Sequence, residues 1–117
     1  MNELIEEIFE NFTVDGVEIP VSFLFYEGHG EPYVVYMQQD ADGSYSGDNE
    51  LLGYIVYYDF DIYSTGNFFN IVESLKEKLV DHGFVWQPSR SSMDMYETDT
   101  GYFHKTLNFA YMKQEEN

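Results

Sequence analysis

The chain contains no cysteine. That absence excludes a disulfide framework, a thiolate nucleophile and any cysteine-based zinc site. Fixed positive charge is almost as scarce: five Lys and Arg, none before Lys76, stand against 22 Asp and Glu. The first 75 residues therefore carry 15 acids and no lysine or arginine, and the formal net charge is -17. Binding to nucleic acid needs the opposite sign, because neutralising phosphates is what drives it. Anionic membrane surfaces are disfavoured on the same ground. No apolar run approaches the ~20 residues that span a bilayer. The opening MNELIEEIFENF lacks the basic start and apolar centre of a signal peptide. A soluble protein is expected.

Aromatic side chains are abundant instead: 11 Tyr and 10 Phe bring them to 19% of the residues, within a hydrophobic total of 44%. That composition argues against disorder, and for strands and wet interfaces. A length of 117 residues predicts one domain over 1–117, with a polar tail at 113–117.

Leu4, Ile5, Ile8, Phe9 and Phe12 recur at helical spacing, with Asn2 as a candidate cap and Glu3, Glu6 and Glu7 suited to the positive end of the dipole. Asp15-Gly16 breaks the pattern. VEIPVSFLFY at 17–26 alternates as a strand in which Pro20 marks an edge or a bulge. EGHGEP at 27–32 reads as a turn, and YVVYMQQ at 33–39 as a second strand forming a hairpin with the first. DADGSYSGDNE at 40–50 reads as a long acidic loop.

LLGYIVYYDFDIYS at 51–64 is the longest predicted strand, with Tyr54, Val56, Tyr58, Phe60 and Ile62 on one face and Asp59 and Asp61 on the other. A second helix is predicted over 67–84, burying Phe68, Ile71, Val72, Leu75 and Leu79. Ser64, Thr65 or Asn67 would cap it, and Gly83 followed by Phe84 would end it. FVWQ then leads through a Pro-Ser loop to strands near 93–97 and at 101–112. The order α-β-β-β-α-β-β predicts an α+β domain: a mostly antiparallel sheet with two helices packed on one face.

The densest polar stretch is DMYETDTGYFHK, residues 94–105. Its Asp-Thr-Gly is also the signature of aspartic proteases. Such a site needs two aspartates sharing a proton, and the carboxylate of Glu97 would burden that pair. Asp94, Glu97, Asp99 and His104 offer metal ligands, but Asp94 and Glu97 are odd-spaced and would point to opposite faces of a strand. In the 40–50 segment, Asp40, Asp42, Gly43 and Glu50 imitate a calcium loop with the glycine too early. His29, His82 and His104 have no Gly-x-Ser-x-Gly elbow nearby, and GHGEP is no phosphate loop. No catalytic residue, metal or cofactor is expected. The economical reading is a hairpin whose turn is Thr98, Asp99, Thr100 and Gly101, with the glycine in the left-handed position.

DIYS at the end of the long strand, IVESLKEKLVDHGF after it, and DMYETDTGYFHKTLNFAY together resemble small tail-completion or tail-terminator proteins of Gram-positive bacteriophages and prophages. The elements that carry the resemblance are Gly83-Phe84, Met95 to Gly101 and His104-Lys105, within a similarity covering roughly residues 17–112. The resemblance implies an α+β subunit of a homo-oligomeric ring, often a hexamer, that caps the tail tube and meets head-connector proteins. It places the chain in the virion tail, after assembly in the host cytoplasm. It implies no catalytic residues.

The charge suits that role, since an acidic lumen keeps passing DNA from sticking. Candidate contacts with a subunit or partner are Asp40, Asp42, Tyr45, Asp48 and Glu50, then Asp59 and Asp61, then Glu97 and Asp99. The rival reading is an acidic mimic of DNA that binds a basic protein, carboxylates standing in for phosphates.

Overall fold

The computed structural model describes residues 2–28, 32–47, 50–66, 68–99 and 101–114, with the backbone alone at 40–47, 50–52 and 114. It opens with helix α1 (Asn2–Ile8), followed by a small hairpin of β1 (Thr13–Val14) and β2 (Val17–Glu18). Asp15 and Gly16 form its two-residue turn, both at positive φ (52° and 81°). That is the type I′ geometry which Asp-Gly favours, because its twist matches that of the flanking strands.

β3 (Val21–Phe23), β4 (Tyr33–Gly47) and β5 (Glu50–Ser64) precede helix α2 (Phe68–Asp81); β6 (Val85–Trp86), β7 (Met95–Glu97) and β8 (Tyr102–Gln114) follow it. These strands form one sheet in the order β3-β4-β5-β8-β6, and β7 also pairs with β8. Every pairing is antiparallel except that of β3 with β4. The expected α+β fold and the two helices are therefore present.

Three local expectations are corrected. The predicted strand at 17–26 is two strands, split where Pro20 lets the chain leave the small hairpin for the main sheet. Its second half pairs with β4 in parallel rather than as a hairpin, with Val21 opposite Val34 and Phe23 opposite Tyr36. The chain turns back directly after β3, where Phe25 N–H donates to Phe23 C=O at 2.8 Å around Leu24, whose φ is +68°. This is a γ-turn of the uncommon hand.

The expected loop at 40–50 is instead strand on both sides of its tip. β4 and β5 stay paired out to Gly47 and Glu50, and register shifts after Gln38, Asp42 and Tyr45 absorb the extra residues. Such bulges destroy the two-residue alternation that marks a strand in sequence. The first helix also closes a turn early, at Ile8, although Phe9 and Phe12 beyond it are buried as expected.

The core lies between the helices and one face of the sheet. Val34 and Tyr36 of β4, Val56, Tyr58, Phe60 and Ile62 of β5, and Leu107 and Phe109 of β8 are buried there. Against them pack Ile5 and Ile8 of α1 and the stripe Phe68, Ile71, Val72, Leu75 and Leu79 of α2. Each such side chain contributes about 1.5–3 kcal/mol by leaving water.

α2 ends as its sequence predicts. Gly83 adopts φ +91°, Gly83 N–H donates to Val80 C=O at 3.1 Å, and Phe84 N–H donates to Leu79 C=O at 3.0 Å. That pair of bonds is a Schellman motif, and the buried Phe84 supplies its apolar contact. Asn67, one of the three expected caps with Ser64 and Thr65, lies outside the described residues. Among the described residues no helix is long and apolar enough to cross a membrane.

Candidate functional site

The face of the sheet turned away from the helices carries the polar chemistry. Strand register arranges it in rows. Tyr33, Tyr63 and His104 lie side by side across β4, β5 and β8, and Val35, Asp61 and Thr106 form the next row. Met37, Asp59 and Asn108 form the third, after which Tyr57 pairs with Ala110.

The first row is an aromatic stack. Tyr26 packs on Tyr33 at 4.7 Å between ring centroids, Tyr33 on Tyr63 at 4.8 Å, and Tyr63 on His104 at 4.3 Å. Tyr102 meets Tyr33 and Tyr63 edge-on. Burial is the main reason the Tyr63 hydroxyl is pushed up to about 12, reinforced by the charge of Asp61, then Tyr33, then Glu97. Tyr33 is raised by burial first, then by Tyr102, Glu97 and Tyr26.

Both strand aspartates reach across to β8. Thr106 Oγ1 donates to Asp61 Oδ1 at 2.6 Å, and Asn108 Nδ2 donates to Asp59 Oδ1 at 2.8 Å. Asn108 is only 1% exposed, and its Oδ1 has no hydrogen-bond partner among the described residues. Burial raises the pKa of Asp59; the Asn108 bond pulls it down, Asp61 pushes it up and Arg90 pulls it down. Arg90 stands at the end of the single 3-10 turn Pro88–Arg90. From there its guanidinium lies 3.8 Å above the Tyr57 ring and donates to Gln39 Oε1 at 3.3 Å.

The segment that delivers Arg90 is fixed by serines. Between β6 and β7 the chain leaves β8, and hydroxyls replace the missing strand: Asn108 N–H donates to Ser91 Oγ at 3.0 Å, and Thr106 N–H to Ser92 Oγ at 2.8 Å. Ser91 Oγ also accepts from Trp86 Nε1 at 3.1 Å, and Lys76 Nζ sits 3.9 Å over that indole. The run PSRSS thus makes a turn and saturates a strand edge in one stroke.

The hairpin of β7 and β8 matches its sequence expectation: Glu97 pairs with Tyr102 and Met95 with His104. Gly101 has φ +77°, and its N–H donates to Glu97 C=O at 2.8 Å. Thr98 and Asp99 are exposed in the turn, and Thr100 lies outside the described residues. Gly101→Val forces a β-branched residue into the left-handed region and is expected to cost about 1–3 kcal/mol in urea denaturation. Gly101→Asn tolerates that region and should cost a fraction of this. Asp99→Asn should be neutral within about 0.5 kcal/mol. A loss on Asp99→Asn as large as that on Gly101→Val would give the aspartate a role beyond turn geometry.

The four ligand candidates of this stretch are split between different partners. Lys105 Nζ pairs with Asp94 at 2.9 Å, His104 Nδ1 lies 3.6 Å from Glu97 Oε1, and Asp99 is at the turn. His82 Nδ1 donates to Lys78 C=O at 2.7 Å, a helix-end contact, and His29 lies outside the described residues.

Of the predicted contact residues, Asp59 and Asp61 share the open face, and Glu97 reaches its edge beside His104. Asp40, Asp42, Tyr45 and Glu50 belong to the paired β4–β5 arm rather than to a loop, and Asp48 lies outside the described residues. Sequence reasoning missed Tyr26, Tyr33, Tyr57, Tyr63, Arg90 and Asn108. The aromatics at odd positions of 51–64 were the available signal, because they alternate with the core residues as Asp59 and Asp61 do.

The face is aromatic and acidic, with one arginine laid across it. Comparison with protein-family models and with curated proteins finds no match to this chain.

Proposed function

We propose that this chain is a non-catalytic assembly subunit: the terminator of a bacteriophage tail, working as a homo-oligomeric ring between tail tube and head connector. The observation that carries the reading is the hairpin bearing the resemblance. Its motif residues are held together as one unit, with Met95 opposite His104, Lys105 bonded to Asp94 and Gly101 in the left-handed turn.

Two further features suit a ring subunit. The sheet ends on β3, a short edge in the charge-free run 19–26, with Phe23 and Phe25 exposed by 42% and 62%. An apolar sheet edge of that kind is a ready template for a second chain. The paired arm of β4 and β5 continues beyond Gly53, which lies opposite Gln114 of β8, as far as Gly47 and Glu50, and provides a projection toward a neighbour. Six copies would carry a charge of roughly -100, so assembly is expected to strengthen with salt.

Native mass spectrometry and negative-stain images of the purified chain, at low and high salt and with tail tubes added, test the reading. Closed rings, alone or on tube ends, are expected. A chain that stays monomeric and leaves tube ends bare refutes it.

A second reading is favoured by one observation. Glu3, Glu6, Glu7 and Glu10 of the first helical segment line a single depression of about 450 Å³. A basic protein partner would see carboxylates there as it sees phosphates. Complex formation with such a partner, lost as salt rises, would distinguish it from the ring.

A further inference from the structure

The central strand presents a symmetric pattern to the open face: Tyr57, Asp59, Asp61 and Tyr63, alternating with buried Tyr58, Phe60 and Ile62. One half of it is filled from within the chain. Arg90 lies over Tyr57, and its charge opposes the rise in the Asp59 pKa that burial causes. The other half has the same residues in mirror order, but there Tyr63 is stacked between Tyr33 and His104 rather than beneath a guanidinium. Asp61 Oδ1 accepts from Thr106, and Asp61 has no cationic partner among the described residues.

The surroundings of Asp61 define what could sit there. On one side stands the wall of Tyr33, Tyr63 and His104, whose ring faces cover one another. On the other side lies the Asp59 row. The flanking positions Val35 and Thr106 carry short side chains, and Val35 is buried. No helix among the described residues packs on the Asp61 row, and Asp59 adds a second negative charge two residues along the same strand face.

A hydrophobic occupant would leave the two carboxylates desolvated, and an anion would be repelled. A cation satisfies both. A guanidinium is favoured over an ammonium, because it is planar, weakly hydrated and able to bond a carboxylate with two N–H groups while lying along aromatic edges. Arg90 already shows that this face holds a guanidinium beside a tyrosine and an aspartate.

We propose that the open face is a docking surface for an arginine side chain presented by a partner protein, with Asp61 as its anchor and the Tyr33–Tyr63–His104 row as its wall. The assignment rests on the sheet face alone and stands whether or not the chain forms rings. The occupant's guanidinium pairs with Asp61 and lies along the edges of the aromatic row, because the ring faces of Tyr63 are already covered by Tyr33 and His104.

The probes are three capped tripeptides, Gly-Arg-Gly, Gly-Lys-Gly and Gly-citrulline-Gly, titrated into the ¹⁵N-labelled chain at fixed ionic strength. Saturable shifts are expected at the amides of residues 59–63 and 104–108, strongest with arginine, weaker with lysine and absent with citrulline. Asp61→Asn keeps an acceptor for Thr106, so the fold is retained, and should weaken arginine binding about tenfold, the loss of a charge-assisted bond. The double variant Glu77→Gln, Asp81→Asn, at exposed positions of α2, should leave binding unchanged.

Equal responses to arginine and lysine centred on α1 overturn the proposal, as does an unaltered affinity in Asp61→Asn or the absence of any saturable shift. Shifts of the same amides on raising the protein concentration without peptide would assign the face to a second copy of the chain, and overturn it equally. A failure to form rings would leave these outcomes untouched, so the two readings fail separately.

Discussion

Phe60→Ala is expected to lower the unfolding free energy by about 3–5 kcal/mol, the range for removing a fully buried aromatic ring from a core. Phe60 is 0% exposed and stands at the middle of the central strand. Its ring meets Phe9 from the α1 side at 6.1 Å, Tyr36 of β4 at 5.7 Å and Phe109 of β8 at 5.8 Å. One side chain therefore joins three strands and the N-terminal segment. Truncation leaves a cavity that three elements must collapse into, and a rigid sheet collapses poorly. Phe23→Ala, at an edge position 42% exposed, is the matched control and should cost under about 1 kcal/mol. Urea denaturation of both variants at constant ionic strength reads the difference, the salt being held because a charge of -17 makes stability itself depend on it. Similar losses for Phe23 and Phe60 would mean that the core is not centred on this strand.

What could be read from the sequence follows the range of the forces involved. The end of α2 was legible at Gly83-Phe84 because a Schellman motif is closed by residues within a turn of each other. The β7–β8 hairpin was legible for the same reason: Gly101 and its neighbours decide the turn locally. The alternation that put Phe60 in the core put Asp59 and Asp61 on the other face, so the acidic part of that face follows from the strand period alone.

The remainder depends on distant partners. The β4–β5 arm is held by a backbone ladder through Asp, Gly and Ser, residue types that favour loops, and its bulges erase the two-residue period. The parallel pairing of β3 with β4 turns on one turn at Leu24, a residue with no preference for positive φ. Arg90 reaches Tyr57 only because Ser91 and Ser92 anchor its turn to β8. Serines in a Pro-Ser run read as loop, and nothing local says which strand their hydroxyls will complete.

Tyr36→Phe is expected to stabilise the protein at neutral pH and to remove a large part of its alkaline instability. Tyr36 is 1% exposed, yet its hydroxyl has no hydrogen-bond partner among the described residues. An unsatisfied buried hydroxyl costs about 1–3 kcal/mol, so deleting it should gain on the order of 1 kcal/mol at pH 7. The same burial, helped by the charge of Glu6 and by Tyr58, pushes the Tyr36 pKa from 10.0 to about 12. A tyrosine whose pKa is raised by folding favours the folded state fully below the unfolded value, and that contribution is lost as pH rises through the folded one. The window is therefore pH 10 to 12, and two pKa units correspond to about 3 kcal/mol. Tyr63 is also raised to about 12 but is only half-buried, so solvent screens its share. Urea midpoints of the wild type and Tyr36→Phe at pH 7, 10 and 11.5 separate the two effects. The variant should start higher and fall less steeply above pH 10. A parallel fall in both proteins would place the alkaline loss in general charge repulsion rather than in the burial of one hydroxyl between α1 and the sheet.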